Sequence, residues 1–263
     1  MSFRLLFVGD VVGEAGIEAV TGIVPGLREG LGLDAVVVNG ENSAPGGRGI
    51  TEGGSDALLS VADFLTLGNH AFDADGKFLE REPRAVRPAN LRSGQPGRGW
   101  GTFEAGGARV GVVNVMGRVF LDEGLPSPFE AADRAVESLE GEGADLILVD
   151  VHAEATSEKQ AMGFHLDGRA QVVVGTHTHV PTADDRVLPG GTAYASDVGM
   201  TGREGSVIGF DRGDFMALFV GRPRRIGIAT EGPVIFRAVV VDLDVEGRRA
   251  TGIERLTREW PVP

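Results

Sequence analysis

QVVVGTHTHVPT, residues 171–182, runs a short apolar stretch into a glycine and then two histidines one residue apart, His177 and His179. The run is too continuously apolar for a strand with one wet face, so it predicts a strand covered on both sides. Stretches of the same kind recur: FRLLFV (3–8), AVVV (35–38), DFLTL (63–67), VGVVNV (110–115) and DLILVDV (145–151). Helix signals lie between several of them. In SPFEAADRAVESLEGEG, Ser127 and Glu130 have capping-box spacing, Pro128 takes the first helical position, and Phe129, Ala132, Val136 and Leu139 repeat on one face. Strand, helix and strand in alternation predict an α/β fold around a mostly parallel sheet. After residue 190, TAYASDV, DFMALFV and VIFRAVVVDLDV read as strands with no long helix between them, so an antiparallel portion is expected to close the fold. No linker, repeat or low-complexity tract divides the chain, and one domain over 1–263 is the simpler count. The glycine-rich RSGQPGRGWGTFEAGG (92–107) reads as a long loop entering a hairpin.

At 263 residues the chain can bury a substantial core unaided, so stability alone does not call for a metal. It has no cysteine, which excludes disulfides, thiolate zinc sites and cysteine nucleophiles and leaves nitrogen and oxygen as the only strong metal donors. The opening MSFRLLFVGDVVGEAG is broken by Gly9 and Asp10 too early for a signal peptide, and no segment reaches membrane-spanning length. A soluble cytoplasmic protein without a membrane partner is expected. A formal net charge of −13 opposes binding to duplex DNA, which draws its affinity from lysine and arginine on phosphates, but does not oppose a small phosphate ester. The cluster RPRR, Arg222 to Arg225, reads as a solvated loop or edge.

The ends of the apolar runs carry the chemistry. LLFVGD ends in Asp10, VVVNGEN in Glu41 and Asn42, LTLGNH in Asn69 and His70, LILVDVH in His152, and VVVGTHTH in His177 and His179. Ligands of open α/β sheets bind beyond the carboxyl ends of the strands, so five separate strands would aim these groups at one crevice. Singly, each residue has an ordinary reading: a helix cap, a turn, a structural histidine. A His-x-His pair is more specific, because alternate strand residues share a face. Four of the five histidines sit at strand ends beside carboxylates and glycine turns; His165, in MGFHLDGR, is the exception and reads as structural or exposed. Carboxylates, imidazoles and neutral asparagine oxygens together suit a two-metal hydrolytic centre, whose ions lie about 3.5–4 Å apart.

In this order the motifs GDVVGEAG, NGENSAPGGRGIT, LGNHAFD, VDVHAEATSEK, VVGTHTHVPTAD and SDVGMTG, spread over residues 9–202, resemble the calcineurin-like metallophosphoesterases and, more narrowly, their YmdB-like branch. The resemblance implies a four-layer α/β/β/α sandwich. It implies one metal on Asp10, Asn42 and His179, a second on Asn69, His152 and His177, Glu41 bridging them, and His70 as general acid or as a positive partner of the phosphate. Two positions depart from the commoner superfamily pattern: Asp10-Val11-Val12 replaces Asp-x-His, and Glu41 replaces the bridging aspartate. The oxygen-rich first site tilts the choice toward iron, manganese or magnesium, with zinc as the alternative. Asp73 could orient His70 or serve only as a turn or cap residue. The implied activity is hydrolysis of small phosphodiesters, 2′,3′-cyclic nucleotides first, with RNA as a further partner and a homo-oligomer left open. The rivals are a phosphomonoesterase, either 5′-nucleotidase or phosphoprotein phosphatase, and a non-catalytic nucleotide- or RNA-binding regulator on the same scaffold. Neither G-x-S-x-G nor a P-loop motif occurs, which removes two other hydrolase designs.

Overall fold

The computed structural model describes residues 1–222 and 225–261. In chain order it contains β1 (Ser2–Val8), α1 (Gly13–Leu31), β2 (Ala35–Asn39), α2 (Glu52–Leu59), β3 (Phe64–Thr66), β4 (Ala85–Val86), β5 (Trp100–Ala105) and β6 (Ala108–Met116). There follow α3 (Pro128–Gly141), β7 (Leu146–His152), α4 (Thr156–His165), β8 (Val172–Thr176), β9 (Arg186–Val187), β10 (Ala193–Ala195), β11 (Gly202–Arg203), α5 (Arg212–Phe219), β12 (Val234–Asp244) and β13 (Arg249–Trp260). One sheet runs β11-β12-β1-β2-β3-β4 with β13 beside β12; the other runs β5-β6-β7-β8-β10-β9. Strands β1 to β4 are mutually parallel, as are β6, β7, β8 and β10, so each sheet presents several carboxyl ends on one side.

The pleat explains the continuous apolar runs. In β1, Leu5 and Phe7 face a core shared with Leu146, Leu148, Val172 and Val174 of the other sheet, while Leu6 and Val8 face Val20 and Val24 of α1. In β7, Ile147, Val149 and Val151 turn outward onto Ala135, Val136 and Leu139 of α3. Sheets packed face to face with helices outside both give the four-layer α/β/β/α sandwich that the resemblance implies. Helix α3 begins as its sequence indicates: Ser127 Oγ accepts from the Glu130 N–H at 3.3 Å, and Pro128 follows the cap.

Two expectations for the carboxyl-terminal part need correction. DFMALFV lies in helix α5, whose start is set by Asp211 Oδ1 accepting from the Asp214 N–H at 2.9 Å; its apolar residues mimic a strand because several remain exposed rather than marking one helical face. TAYASDV does contain a strand, β10, which lies parallel to β8 on one side and antiparallel to the two-residue β9 on the other. The antiparallel closure itself is the long β12–β13 hairpin on β1. The glycine-rich stretch enters the β5–β6 hairpin as expected. Arg222 and Arg225 are exposed, whereas Pro223 and Arg224 of that cluster lie outside the described residues. No helix among the described residues is long and apolar enough to cross a membrane.

Candidate metal centre

Each candidate residue sits at or just past a strand end. Strand β1 delivers Asp10, β2 delivers Glu41 and Asn42, β3 delivers Asn69 and His70, β7 ends on His152, and β8 leads into His177 and His179. The two sheets therefore contribute to one crevice where their carboxyl ends meet. Asp10, Glu41, Asn42, His152 and His179 are buried there.

Three atoms crowd His152 Nε2: Asn69 Oδ1 at 2.8 Å, Glu41 Oε1 at 3.0 Å and His177 Nδ1 at 3.1 Å. The surrounding hydrogen bonds decide where the protons are. Thr176 Oγ1 donates its one hydrogen to Asp150 Oδ1 at 2.7 Å, so it can only accept from His152 Nδ1 at 2.9 Å. In the neutral ring that a cation would require, this leaves the lone pair on His152 Nε2. His177 Nε2 faces Glu154 Oε2 at 3.2 Å, which places the hydrogen there and turns the Nδ1 lone pair inward. Two ring nitrogens, an amide oxygen and a carboxylate oxygen thus aim electron pairs at one point, an arrangement that a cation would reconcile.

A second group adjoins the first. His179 Nδ1 donates to the Ile208 carbonyl at 2.8 Å, leaving Nε2 to face Asn42 Oδ1 at 3.3 Å and Asp10 Oδ1 at 4.0 Å. Asn42 Nδ2 donates to the Gly47 carbonyl at 2.9 Å, which fixes its oxygen toward the crevice. All three histidines are thus oriented by a partner on the ring nitrogen away from the site, the usual support of a metal ligand.

Three further observations fit cations here. Glu41 Oε1 is buried without a hydrogen bond although His152 Nε2 lies 3.0 Å away. A Cβ at Gly68 would overlap both Glu41 Oε2 and His152 Nε2, so the space they face exists only because residue 68 is glycine. Electrostatics also call for positive charge. Burial pushes the Asp10 carboxyl well up. Burial pushes Glu41 up as well, but neighbouring His152 and His70, the latter also through its backbone N–H, outweigh it and hold Glu41 at about 2. Burial lowers His152, yet the Glu41 charge more than reverses this and raises it. Burial, then the His152 charge, holds His177 down at about 3, and burial lowers His179, so both stay neutral donors. The donor set is nitrogen and oxygen only, as zinc, iron, manganese and magnesium accept.

His70 stands at the edge of this cluster. Its backbone N–H donates to Glu41 Oε2 at 3.0 Å, and its Nδ1 meets Asp73 Oδ2 at 2.7 Å, which gives Asp73 an orienting contact in addition to its turn bond to the His70 carbonyl. His165 instead bonds Asp133 at 2.9 Å and lies edge-on to Phe129 outside the crevice. The reason expected for the His-x-His pair is corrected: both residues lie beyond β8, with φ of 96° and 65°, so backbone turning rather than the strand pleat aims them.

Sequence reasoning missed the supports. Asp150 lies inside the apolar strand β7 and accepts from Thr66 Oγ1 at 2.5 Å, Asn39 Nδ2 at 2.9 Å and Thr176. Burial raises its carboxyl while these bonds pull it down. A lone acid in such a strand was the available signal. Lys159 and Asp197, both fully buried, pair at 2.7 Å, and Asp197 Oδ2 also accepts from Thr178 Oγ1 at 2.8 Å and the Thr178 N–H at 3.2 Å. This pair clamps the residue between the two left-handed histidines. Both lie within the family-like motifs, but nothing local shows that they meet.

Residues 6–256 match the model of the YmdB-like protein family. The chain is 44% identical over 257 residues to the 2′,3′-cyclic-nucleotide 2′-phosphodiesterase of Bacillus subtilis (strain 168), covering 96% of each. It superposes with a TM-score of 0.90 on the crystal structure of a hypothetical protein from Thermus thermophilus, at 44% identity over 98% of this chain and 100% of that one. The same TM-score, 0.90, relates it to a phosphatase from Mycoplasma pneumoniae, at 31% identity over 98% of this chain and 94% of that one. With the family model, the sequence and the fold matched along nearly its whole length, this chain belongs to the YmdB-like family within the calcineurin-like metallophosphoesterase fold.

Proposed function

We propose that the chain is a cytoplasmic, metal-dependent phosphodiesterase that hydrolyses small diesters, 2′,3′-cyclic nucleotides foremost, at a two-ion centre on a single domain. The observation that carries the catalytic reading is the convergence of Asn69 Oδ1, Glu41 Oε1 and His177 Nδ1 within 3.1 Å of His152 Nε2. The substrate class rests on the likeness to the Bacillus subtilis phosphodiesterase.

In this reading Asp10, Asn42 and His179 would hold one ion and Asn69, His152 and His177 the other, with Glu41 available to both. Iron and manganese suit the oxygen-rich first set best. Bound there, the cations would offset charge on the non-bridging phosphoryl oxygens and make water acidic enough to supply the nucleophile near neutral pH. His70 moves the other proton. With Nδ1 held at 2.7 Å from Asp73 Oδ2, the Nε2 position is left to deliver a proton to the departing ribose oxygen. Asp73 fixes the ring, and the 3.0 Å bond from the His70 N–H to Glu41 ties the acid to the ligand set. A general acid matters most for a poor leaving group such as a ribose alkoxide, which favours a diester substrate. The net charge of −13 then selects small or short substrates, an RNA end at most, over long polyanions.

The test compares catalytic efficiencies of the manganese-loaded protein on bis-p-nitrophenyl phosphate and 2′,3′-cyclic AMP with those on p-nitrophenyl phosphate and AMP. Diesters should be preferred. A clear preference for monoesters would overturn the diesterase reading in favour of a phosphatase, the class to which the Mycoplasma pneumoniae relative is assigned.

A further inference from the structure

Away from the metal centre, a cavity of about 790 Å³ opens where the glycine-rich loop before β5 meets α3. Its size falls in the range of small-molecule sites, about 300–1,000 Å³. Three guanidinium groups, Arg87, Arg98 and Arg134, line it with Trp100, and Glu142 is the one acid in its wall. In a chain with 38 acidic and 25 basic residues this local excess runs against composition.

The arginines are not spent on carboxylates. Arg87 donates only to the neutral carbonyls of Pro88 at 2.8 Å and Pro96 at 3.3 Å, and its half-buried guanidinium is pushed down from its ordinary value by burial. Arg98 and Arg134 have no side-chain hydrogen bond or ion pair among the described residues. Asp133, next to Arg134, is already taken by Arg169 at 2.6 Å and His165 at 2.9 Å. Glu142 Oε1 accepts from Ser138 Oγ at 3.0 Å. Cationic groups without counter-charges in one wall favour an anionic ligand, and guanidinium suits phosphate oxygens through paired donors. An aromatic wall beside them supplies a stacking surface for a base.

We infer that this cavity binds a nucleoside phosphate outside the metal centre, with the phosphate on Arg98 and Arg134 and the base against Trp100. None of the proposed metal ligands, nor His70, lines it. Leu91 separates it from a smaller cleft, about 330 Å³, that reaches Asn69. The two sites are thus neighbours with different chemistry, and the inference stands whether or not the metal centre cleaves diesters.

The chain has two tryptophans, so Trp260→Phe makes Trp100 the sole indole reporter. In this background, chelator-treated protein is titrated with AMP, adenosine and inorganic phosphate while Trp100 emission is followed, with calorimetry alongside. AMP should quench saturably and bind more tightly than either fragment. Arg98→Ala with Arg134→Ala should weaken AMP at least tenfold, and because neither side chain bonds to the protein the fold should persist. Glu41→Gln should leave AMP binding unchanged. Absence of saturable AMP binding, binding indifferent to the two arginines, or binding lost with Glu41→Gln would each overturn the inference.

Discussion

Replacing Thr176 by valine isolates the proton logic of the centre. The Thr176 side chain is fully buried, and its hydroxyl lies 2.7 Å from Asp150 Oδ1 and 2.9 Å from His152 Nδ1. Valine has the same shape, so no cavity opens; what is lost is one donor and one acceptor, orphaning a buried carboxylate oxygen and a buried ring N–H. At about 1–3 kcal/mol for each orphaned group, the variant should lose about 2–6 kcal/mol. That corresponds to a melting temperature lower by at least about 4 °C for a chain of this size. A separate effect falls on the metal, because His152 no longer has a partner that keeps its hydrogen on Nδ1 and its lone pair inward. Losing such an outer partner weakens metal binding by about 10–100-fold. Thr176→Ser keeps the hydroxyl and should restore both properties. Thermal unfolding of chelator-treated protein reads the first effect, and competition with a chromophoric chelator reads the second. If valine destabilises the protein but leaves metal affinity untouched, the reasoning about the His152 tautomer is refuted.

Other residues separate roles in the same way. Glu41→Gln should lower both metal content and turnover, whereas His70→Ala should retain metal and lose about 10²–10⁴-fold in rate; an emptied site in His70→Ala, by elemental analysis, would place His70 among the ligands instead. Lys159→Met leaves Asp197 as an unpaired buried charge and should cost about 3–5 kcal/mol in urea unfolding, while adding Asp197→Asn recovers part of the loss; equal stability of single and double variants would show that the pair is uncoupled. In metal-free protein, Glu41 sits at about 2 in place of its ordinary 4.5, a depressed carboxyl whose stabilising contribution is complete above pH 4.5 and lost as pH falls toward 2. Glu41→Gln should therefore lose less stability than the parent across that window, measured as the urea midpoint against pH.

Strand ends were the legible part of this molecule. Apolar runs bounded by glycine, aspartate or asparagine mark β1, β2, β3, β7 and β8, because strands covered on both faces need no alternation, and the residues after them fall into one crevice for purely topological reasons. Helix α5 was not legible: its apolar residues remain partly exposed, so no helical stripe distinguishes it from a strand. The outer supports were hidden for a different reason. Lys159 and Asp197 are 38 positions apart, and Asp150 meets Thr66 across 84, so their pairing is created by the packing of the two sheets rather than by any local pattern. The left-handed turn that aims His177 and His179 was equally invisible, since His-x-His fits a pleated strand as well as a strained loop.

If the buried cluster around Glu41 holds two ions, elemental analysis of protein purified without chelator will count them. Close to two transition-metal ions per chain are expected, with removal lowering the melting temperature; saturation at a hundred times the dissociation constant contributes about 2.7 kcal/mol. Protein that carries no metal, takes up none on incubation with iron or manganese, and melts at the same temperature with and without chelator would contradict a two-ion site.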